Sequence, residues 1–551
     1  MPIRGALFFF AASVPLFDDV TAAWKLDFKH ENSPTSNKYL IETMGGGVAL
    51  IDYNNDGRLD IFLTNGAHLE DTMPPGRQPD KTDRRFHNRL LRSDASGTYT
   101  DVTSRAGLAG PAAGGYGMGV AVGDYDNDGH DDLYVTNYGA NALYHNGGDG
   151  TFEDVTARAG VAAAGWSTSA GFFDYDRDGR LDLFVGRYLD WDFSRNRYCG
   201  DRRPGYRSYC HPDNFSGIAN VLFRNNSDGT FTDVSNIAGI ANPEGKTLGV
   251  AFADYDGDGW PDIYVANDSV QCFLYRNNRD GTFSDVALEA GAGYNEDGRA
   301  FAGMGVDFAD YNNDGRPDIL VTDLSTETYP LYRNSGDGAF TYVTGPSGVG
   351  KATLEYSGWG TRFVDYDNDG WKDIFAAQGH VMDTIHLTAP NLKYLQPPLL
   401  LRNENGRFRD VGLAAGGVFA RPSAGRGAAF GDLDNDGDMD IVVSNCGRNA
   451  YILSNTAGNR NNWLRIELTG TRSNRNAIGS RVTIRLANGL TQTYEVQTAS
   501  SYLSANDRRP LVGLGREKAA TRVEIRWPNG AMQVIENAKA GQTLAVKEPA
   551  N

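Results

Sequence analysis

Seven times along the chain one acidic pattern returns, D-x-[DN]-x-D-G-x-x-D, at Asp52–Asp60, Asp124–Asp132, Asp174–Asp182, Asp254–Asp262, Asp310–Asp318, Asp365–Asp373 and Asp432–Asp440. Oxygen donors at positions 1, 3, 5 and 9, with a backbone carbonyl at position 7, form the donor set a hard cation such as calcium takes. The candidate side-chain ligands are Asp52, Asn54, Asp56 and Asp60; Asp124, Asp126, Asp128 and Asp132; Asp174, Asp176, Asp178 and Asp182; Asp254, Asp256, Asp258 and Asp262; Asp310, Asn312, Asp314 and Asp318; Asp365, Asp367, Asp369 and Asp373; and Asp432, Asp434, Asp436 and Asp440. Position 7, offering its carbonyl, is Arg58, His130, Arg180, Trp260, Arg316, Trp371 or Asp438. Glycine at position 6 supplies the positive-φ turn that wraps the loop. A lone copy would read as a solvated turn; seven copies in register read as sites for up to seven Ca2+ ions.

An EF-hand is excluded. It needs a bidentate Glu at position 12, where this chain has Leu63, Val135, Val185, Val265, Val321, Ala376 and Val443. The flanks, such as Gly119–Gly123 and Leu133–Asn137, read as strands, so each loop is the turn of a β-hairpin. Loop starts are separated by 72, 50, 80, 56, 55 and 67 residues, periods that indicate a propeller or solenoid. Each repeat continues with a Leu-Tyr-x-Asn strand (Leu143–Asn146, Leu274–Asn277, Leu331–Asn334), an Asp-Gly turn and a fourth strand such as Thr151–Thr156. Four short strands make a propeller blade. The last repeat lacks its fourth strand, and Phe17–Thr21 supplies one at the other end of the array. The expected fold is all-β: a seven-bladed β-propeller over 16–459, its N-terminal strand closing the last blade, then a small β domain over 460–548.

The net charge of −18 argues against nucleic acid as a partner, and the loop aspartates account for most of it. No stretch reaches the length of an apolar membrane span. Met1–Pro15, with Arg4, an apolar run Ala6–Ala12 and small residues at Ala11–Ser13, reads either as a very short signal peptide or as an ordinary apolar N-terminus. Loops suited to millimolar calcium favour a secreted, periplasmic or extracellular location. Cys199 and Cys210 are expected to pair after export, and Cys272 and Cys446 to be buried hydrophobes.

Together these parts resemble the FG-GAP/VCBS-repeat proteins with a C-terminal ASPIC/UnbV domain, the family that includes cartilage acidic protein. The residues carrying the likeness are Phe17–Thr21 with Asp27–His30, Glu42–Gly47, Gly379–Val381, Gly425–Asp432, Asn461–Leu464, Asn476–Arg481, Ser501–Ser504 and Arg526–Gly530. The resemblance implies an FG-GAP propeller with calcium in the hairpins, and an exported protein.

Insertions at Gly66–Asn88, Arg187–Gly217 and Gln378–Pro398 are expected on the face opposite the calcium hairpins. That face also receives the candidate ligand-binding residues Arg426 (for an anion), Trp166 and Trp359 (stacking on a sugar or plugging the channel mouth), Tyr138 and Tyr188. His30, Glu42, His68 and His380 are the candidates for acid–base chemistry or for an additional transition metal. Two functions are weighed: a secreted calcium-binding module for a glycan or an extracellular protein, with an accessory C-terminal domain; or an enzyme at the channel mouth, acting in secondary-metabolite or carbohydrate conversion.

Overall fold

The computed structural model describes residues 16–110 and 115–550, so the Met1–Pro15 segment read as a leader lies outside the described residues. The chain is all-β in its main elements. Among the described residues the repeat region forms seven antiparallel units of four strands. The second unit is representative: Tyr116–Gly123, Asp132–Gly139, Ala142–Asn146 and Phe152–Asp154, with Val120 opposite Val135 and Gly123 opposite Asp132. Its strands are apolar on both sides because both sides are covered. Val120, Val122, Leu133 and Val135 pack with Ala49, Ile51 and Phe62 of the first unit, while Ala121, Tyr134 and Leu143 pack with Ala170, Phe172 and Leu183 of the third. Phe17–Asp19 pairs antiparallel with Tyr451–Asn455, Phe17 opposite Asn455, and is the fourth strand of the seventh unit.

The first strands of neighbouring units approach each other at backbone distance, and glycine permits it. A Cβ on Gly47 would lie 2.7 Å from the Met118 carbonyl oxygen, and one on Gly427 would lie 2.4 Å from that of Gly46. Gly119, Gly249, Gly305 and Gly360 stand in equivalent contacts. The third unit has Ser169 instead, whose hydroxyl donates to the Leu248 carbonyl at 2.6 Å.

The C-terminal region has its own core of Leu464, Ile466, Val482, Ile484, Val512, Val523, Ile525 and Trp527. One sheet joins Asn462–Thr469 to Leu511–Gly515 and, in parallel, to Gln542–Lys547; the other holds Thr491–Glu495, Arg481–Arg485, Ala519–Arg526 and Met532–Lys539. The expectation that this region is an accessory is overturned. Its hairpin Ala499–Ala505 leaves the domain and runs among the first strands of the repeats. Ala505 pairs with Ala49, and Ser501 bridges Val306. The Leu503 carbonyl accepts from Val120 N–H, and Leu503 N–H donates to Ser169 Oγ at 3.0 Å. Ser501 Oγ donates to the Ala428 carbonyl and accepts from Thr361 N–H. Ala499 packs with Val250 and Phe252 of the fourth unit. At the tip, Ser501 (φ 73°) and Leu503 (φ 56°) are held in left-handed backbone, a conformation a side chain like leucine adopts only when its surroundings over-determine it.

Candidate metal loops and a cavity at the opposite rim

The acidic loops share one geometry. Asp124 accepts from Asp128 N–H (3.0 Å) and Gly129 N–H (2.8 Å), while Asp132 accepts from Tyr125 N–H (3.2 Å) and Asn146 N–H (2.8 Å). Gly129 at position 6 has φ 96°. Position 4 is also left-handed, with Asn55, Asn127, Asn313, Asn368 and Asn435 between 53° and 63°. The sequence reading missed this, although asparagine is the side chain that best tolerates such backbone. The amide of each of these asparagines reaches the position-6 carbonyl of another loop: Asn55 to Gly129, Asn127 to Gly179, Asn313 to Gly370, Asn368 to Gly437, and Asn435 to Gly57. The asparagine of the third strand adds a second link, as where Asn225 donates to the Tyr125 carbonyl at 2.8 Å.

The ligand positions are crowded carboxylates withdrawn from water. Burial pushes Asp60 and Asp124 up to about 8, and Asp132, Asp174 and Asp432 up to about 7. Buried oxygens of Asp174, Asp254 and Asp367 (Oδ1 in each) have no hydrogen-bond partner. A buried carboxylate oxygen without a partner costs several kcal/mol unless a cation meets it, and this all-oxygen donor set fits a hard divalent ion. Ligand atoms of Asp124, Asp126 and Asp128, of Asp174, Asp176 and Asp178, of Asp254, Asp256 and Asp262, and of Asp365, Asp367 and Asp373 each fall within 4.8 Å of one another and can hold a metal. His145, not singled out from sequence, joins Asp126 and Asp132 in another such group. Its Nδ1 stands 3.3 Å from Asp132 and 3.4 Å from Asp126. The C-terminal domain touches the same loops with arginines: Arg465 on Asp432 (3.0 Å), Arg508 on Asp131 (2.8 Å) and Arg526 on Asp254.

At the other ends of the first strands the insertions gather around a buried aromatic cluster, and here the sequence-stated candidates are corrected. Arg426 is fully buried and all five of its N–H donors are spent, on Thr43 O and Oγ1 and on the carbonyls of Gly379, His380 and Gly425. With Trp359 also 4.0 Å from it, no donor is left for an anion. Trp166 is enclosed edge-on by Tyr138, Tyr188 and Trp191. Trp359 donates to the Gly379 carbonyl at 2.6 Å and meets the Tyr502 ring of the C-terminal hairpin at 4.9 Å. Trp166 is closed to a sugar, and Trp359 has Arg426 over its ring.

The side chains of the histidine–glutamate group are largely taken up by other partners. His68 is exposed beside Asp80. His30 is buried on Gly447 N–H, and burial lowers it to about 3. Glu42 accepts from Thr35, Tyr39 N–H and Tyr209, and burial raises it to about 7. His380 accepts from Met382 N–H at 2.9 Å; burial, then Arg426, lowers it to about 4. Glu42, His380 and one nitrogen of His30 are thus engaged by the protein itself, while His68 stays at the surface.

What sequence did not reveal is a cavity of about 340 Å³ at this rim. Met44, Leu248, Met304 and Trp359 from the first-strand starts form its floor, Tyr188 and Tyr209–Pro212 one wall, and Val381–Leu392 another. His380 and Asp268 also line it. The Tyr209–Pro212 wall is tied by the Cys199–Cys210 disulfide, with Cα atoms 5.2 Å apart; Cys272 and Cys446 are free and buried. Replacing both bridged cysteines with serine is expected to cost about 2–3 kcal/mol in urea unfolding, since the closed loop is short, and to weaken any ligand held against that wall.

The FG-GAP-like repeat model matches residues 52–135, 124–185, 211–265, 254–321 and 396–443, together more than half of the chain, and the ASPIC and UnbV model matches 470–551. Cartilage acidic protein 1 of Homo sapiens is 26% identical over 97% of this chain and 75% of its own length. That of Mus musculus is 25% identical over 94% and 74%. Among solved structures, an Agrocybe aegerita lectin recognising non-reducing terminal N-acetylglucosamine is 18% identical, with a TM-score of 0.39 over 67% of this chain and 79% of that one. The rhamnogalacturonan lyase YesW is 13% identical, with a TM-score of 0.36 over 75% and 72%. On its repeats and its C-terminal domain, the chain belongs to the FG-GAP-like repeat family, in the form that carries an ASPIC and UnbV domain.

Proposed function

We propose that residues 16–459 are one closed seven-bladed propeller, loaded with calcium at the acidic loops and capped by a domain over 460–548, and that the protein works outside the cytoplasm as a binding module. Closure is supported by the Phe17–Asp19 strand in the seventh unit and by the Asn435–Gly57 and Gly427–Gly46 contacts between seventh and first. Calcium is supported by the unpartnered buried carboxylate oxygens, and export by the disulfide, which belongs to oxidising compartments. Among the described residues no helix is long and apolar enough to cross a membrane.

The observation that carries the binding reading is the insertion-rim cavity. It lies in the size range of small-molecule sites, and Met44, Met304 and Met382 give it walls that adapt to an occupant. An apolar small molecule is the ligand we assign to it. The outer surface of the same insertions is the surface we assign to an extracellular protein, ahead of a glycan because Trp166 is enclosed and Trp359 carries Arg426 over its ring. With Glu42 and His380 engaged by protein partners and His68 exposed beside Asp80, the binding reading is the one the cavity favours.

The test is titration with the neutral fluorophore N-phenyl-1-naphthylamine. Saturable binding of one dye per calcium-loaded chain, lost in a folded Met304→Trp variant that fills the floor, is the expected result. No saturable binding, or binding unchanged by Met304→Trp, overturns the assignment.

A further inference from the structure

Within the cavity one polar group stands out by what it lacks. Asp268 is buried, and its carboxylate accepts from the Tyr188 hydroxyl at 2.5 Å and the Ser269 hydroxyl at 2.9 Å. A carboxylate offers about four acceptor positions, so roughly half of its capacity is unused. Among the described residues it has no ion-pair partner. The nearby cation Lys246 is turned elsewhere, donating to the Pro212 carbonyl at 3.1 Å and standing 3.6 Å from Asp213. Arg426, behind Trp359, has no donor left. At the Ala302 wall the backbone N–H is already taken by Asp323 and Glu327, so it offers nothing to Asp268. His211 on the same wall turns its Nδ1 to Asp213, accepting from the Asp213 N–H at 3.3 Å, so among the described residues Asp268 has hydroxyl partners but no ion pair.

Resting on the binding-module reading above, we infer that the cavity selects an apolar, ring-sized molecule bearing one hydrogen-bond donor, a hydroxyl or an amine, seated on Asp268. The apolar body supplies affinity by burying surface against Met44, Leu248, Met304 and Trp359. The donor supplies selectivity. A hydroxyl or ammonium completes the acceptor set of a buried carboxylate, whereas an anionic head group is repelled by it and loses its hydration without compensation.

The experiment is displacement of N-phenyl-1-naphthylamine from the calcium-loaded full chain by 2-naphthol, 2-naphthylmethylamine, 2-naphthoate and naphthalene. The alcohol or the amine is expected to compete at concentrations about tenfold or more below those of the carboxylate. Whichever of the two is stronger identifies the donor. In Asp268→Asn, with melting temperature checked, the preference over 2-naphthoate collapses to about threefold or less. In Tyr188→Phe, which frees one carboxylate oxygen, it rises.

Equal or better competition by 2-naphthoate overturns the inference, as does an unchanged ratio in either folded variant. If all four compounds compete alike and Met304→Trp abolishes dye binding, the cavity remains the ligand site and only the Asp268 role falls. If the dye does not bind the wild-type chain, the cavity assignment and this inference fall together.

Discussion

Chelation with EGTA is expected to lower the melting temperature of this protein on the order of 10 °C or more, because under the calcium proposal each filled site would contribute about RT ln(1 + [Ca]/Kd) and the sites would sum over the repeats. The cause is visible in the loops. Asp60, Asp124, Asp174 and Asp432 are crowded and withdrawn from water, and Asp174, Asp254 and Asp367 each keep a buried oxygen without a partner. The metal-free state also has a definite pH dependence. Burial raises the folded-state values of Asp60 and Asp124 to about 8, and of Asp174 and Asp432 to about 7, above the ordinary 3.8.

A carboxyl whose folded value is raised binds more protons folded than unfolded, so its contribution is present at low pH and is lost as pH rises through the folded value. The chelated protein is therefore expected to lose melting temperature from pH 5 to pH 8. The calcium-loaded protein is expected to behave in the opposite sense, weakening toward pH 5 as protons compete for the ligands. Melting scans at both pH values, with and without EGTA, check this. An unchanged melting temperature under strong chelation refutes structural calcium, and a chelated protein more stable at pH 8 than at pH 5 refutes the account of the carboxylates.

The second large effect is expected far from any acidic loop, at the tip of the C-terminal hairpin. Tyr502 is fully buried, its ring meets Trp359 at 4.9 Å, and its hydroxyl donates to the Met44 carbonyl at 2.7 Å. Tyr502→Ala should cost about 3–5 kcal/mol, as expected for truncating a buried aromatic, whereas Tyr502→Phe should cost only about 1 kcal/mol for the lost hydrogen bond. Urea unfolding of both variants measures the difference. Because the hairpin contacts first strands throughout the repeats and Trp359 floors the cavity, Tyr502→Ala is also expected to weaken N-phenyl-1-naphthylamine binding. A Tyr502→Ala protein within about 1 kcal/mol of wild type would show that the hairpin is peripheral.

The geometry of the acidic loops could be read from sequence because it is local. Nine consecutive residues carry the oxygens, the glycine and the flanking strands, so Asp124–Asp132 means the same thing in isolation as in the fold. The repeat of four strands could be read for the same reason, since hairpin pairing joins neighbours in the chain. The ligand-face residues could not. Arg426, Trp166 and Trp359 look like recognition groups, but their neighbours Thr43, Gly379, Tyr138 and Trp191 come from other units and loops, and those neighbours consume the donors and ring faces. His68 bridges Asp80 at the surface, whereas His380 lines the cavity.

The all-β class, the sevenfold acidic pattern and the oxygen-donor set proposed for a cation are legible in the sequence, all properties set within about ten residues of chain. It took the folded chain to place Ser501–Ser504 at the centre of the repeats, to leave Asp268 without an ion-pair partner, and to bring two insertions far apart in sequence, Arg187–Gly217 and Gln378–Pro398, around one cavity. Those features depend on which surfaces meet across hundreds of residues. Burial, the loss of competing water and the exhaustion of hydrogen-bond donors are properties of the meeting surfaces, and no local pattern records them.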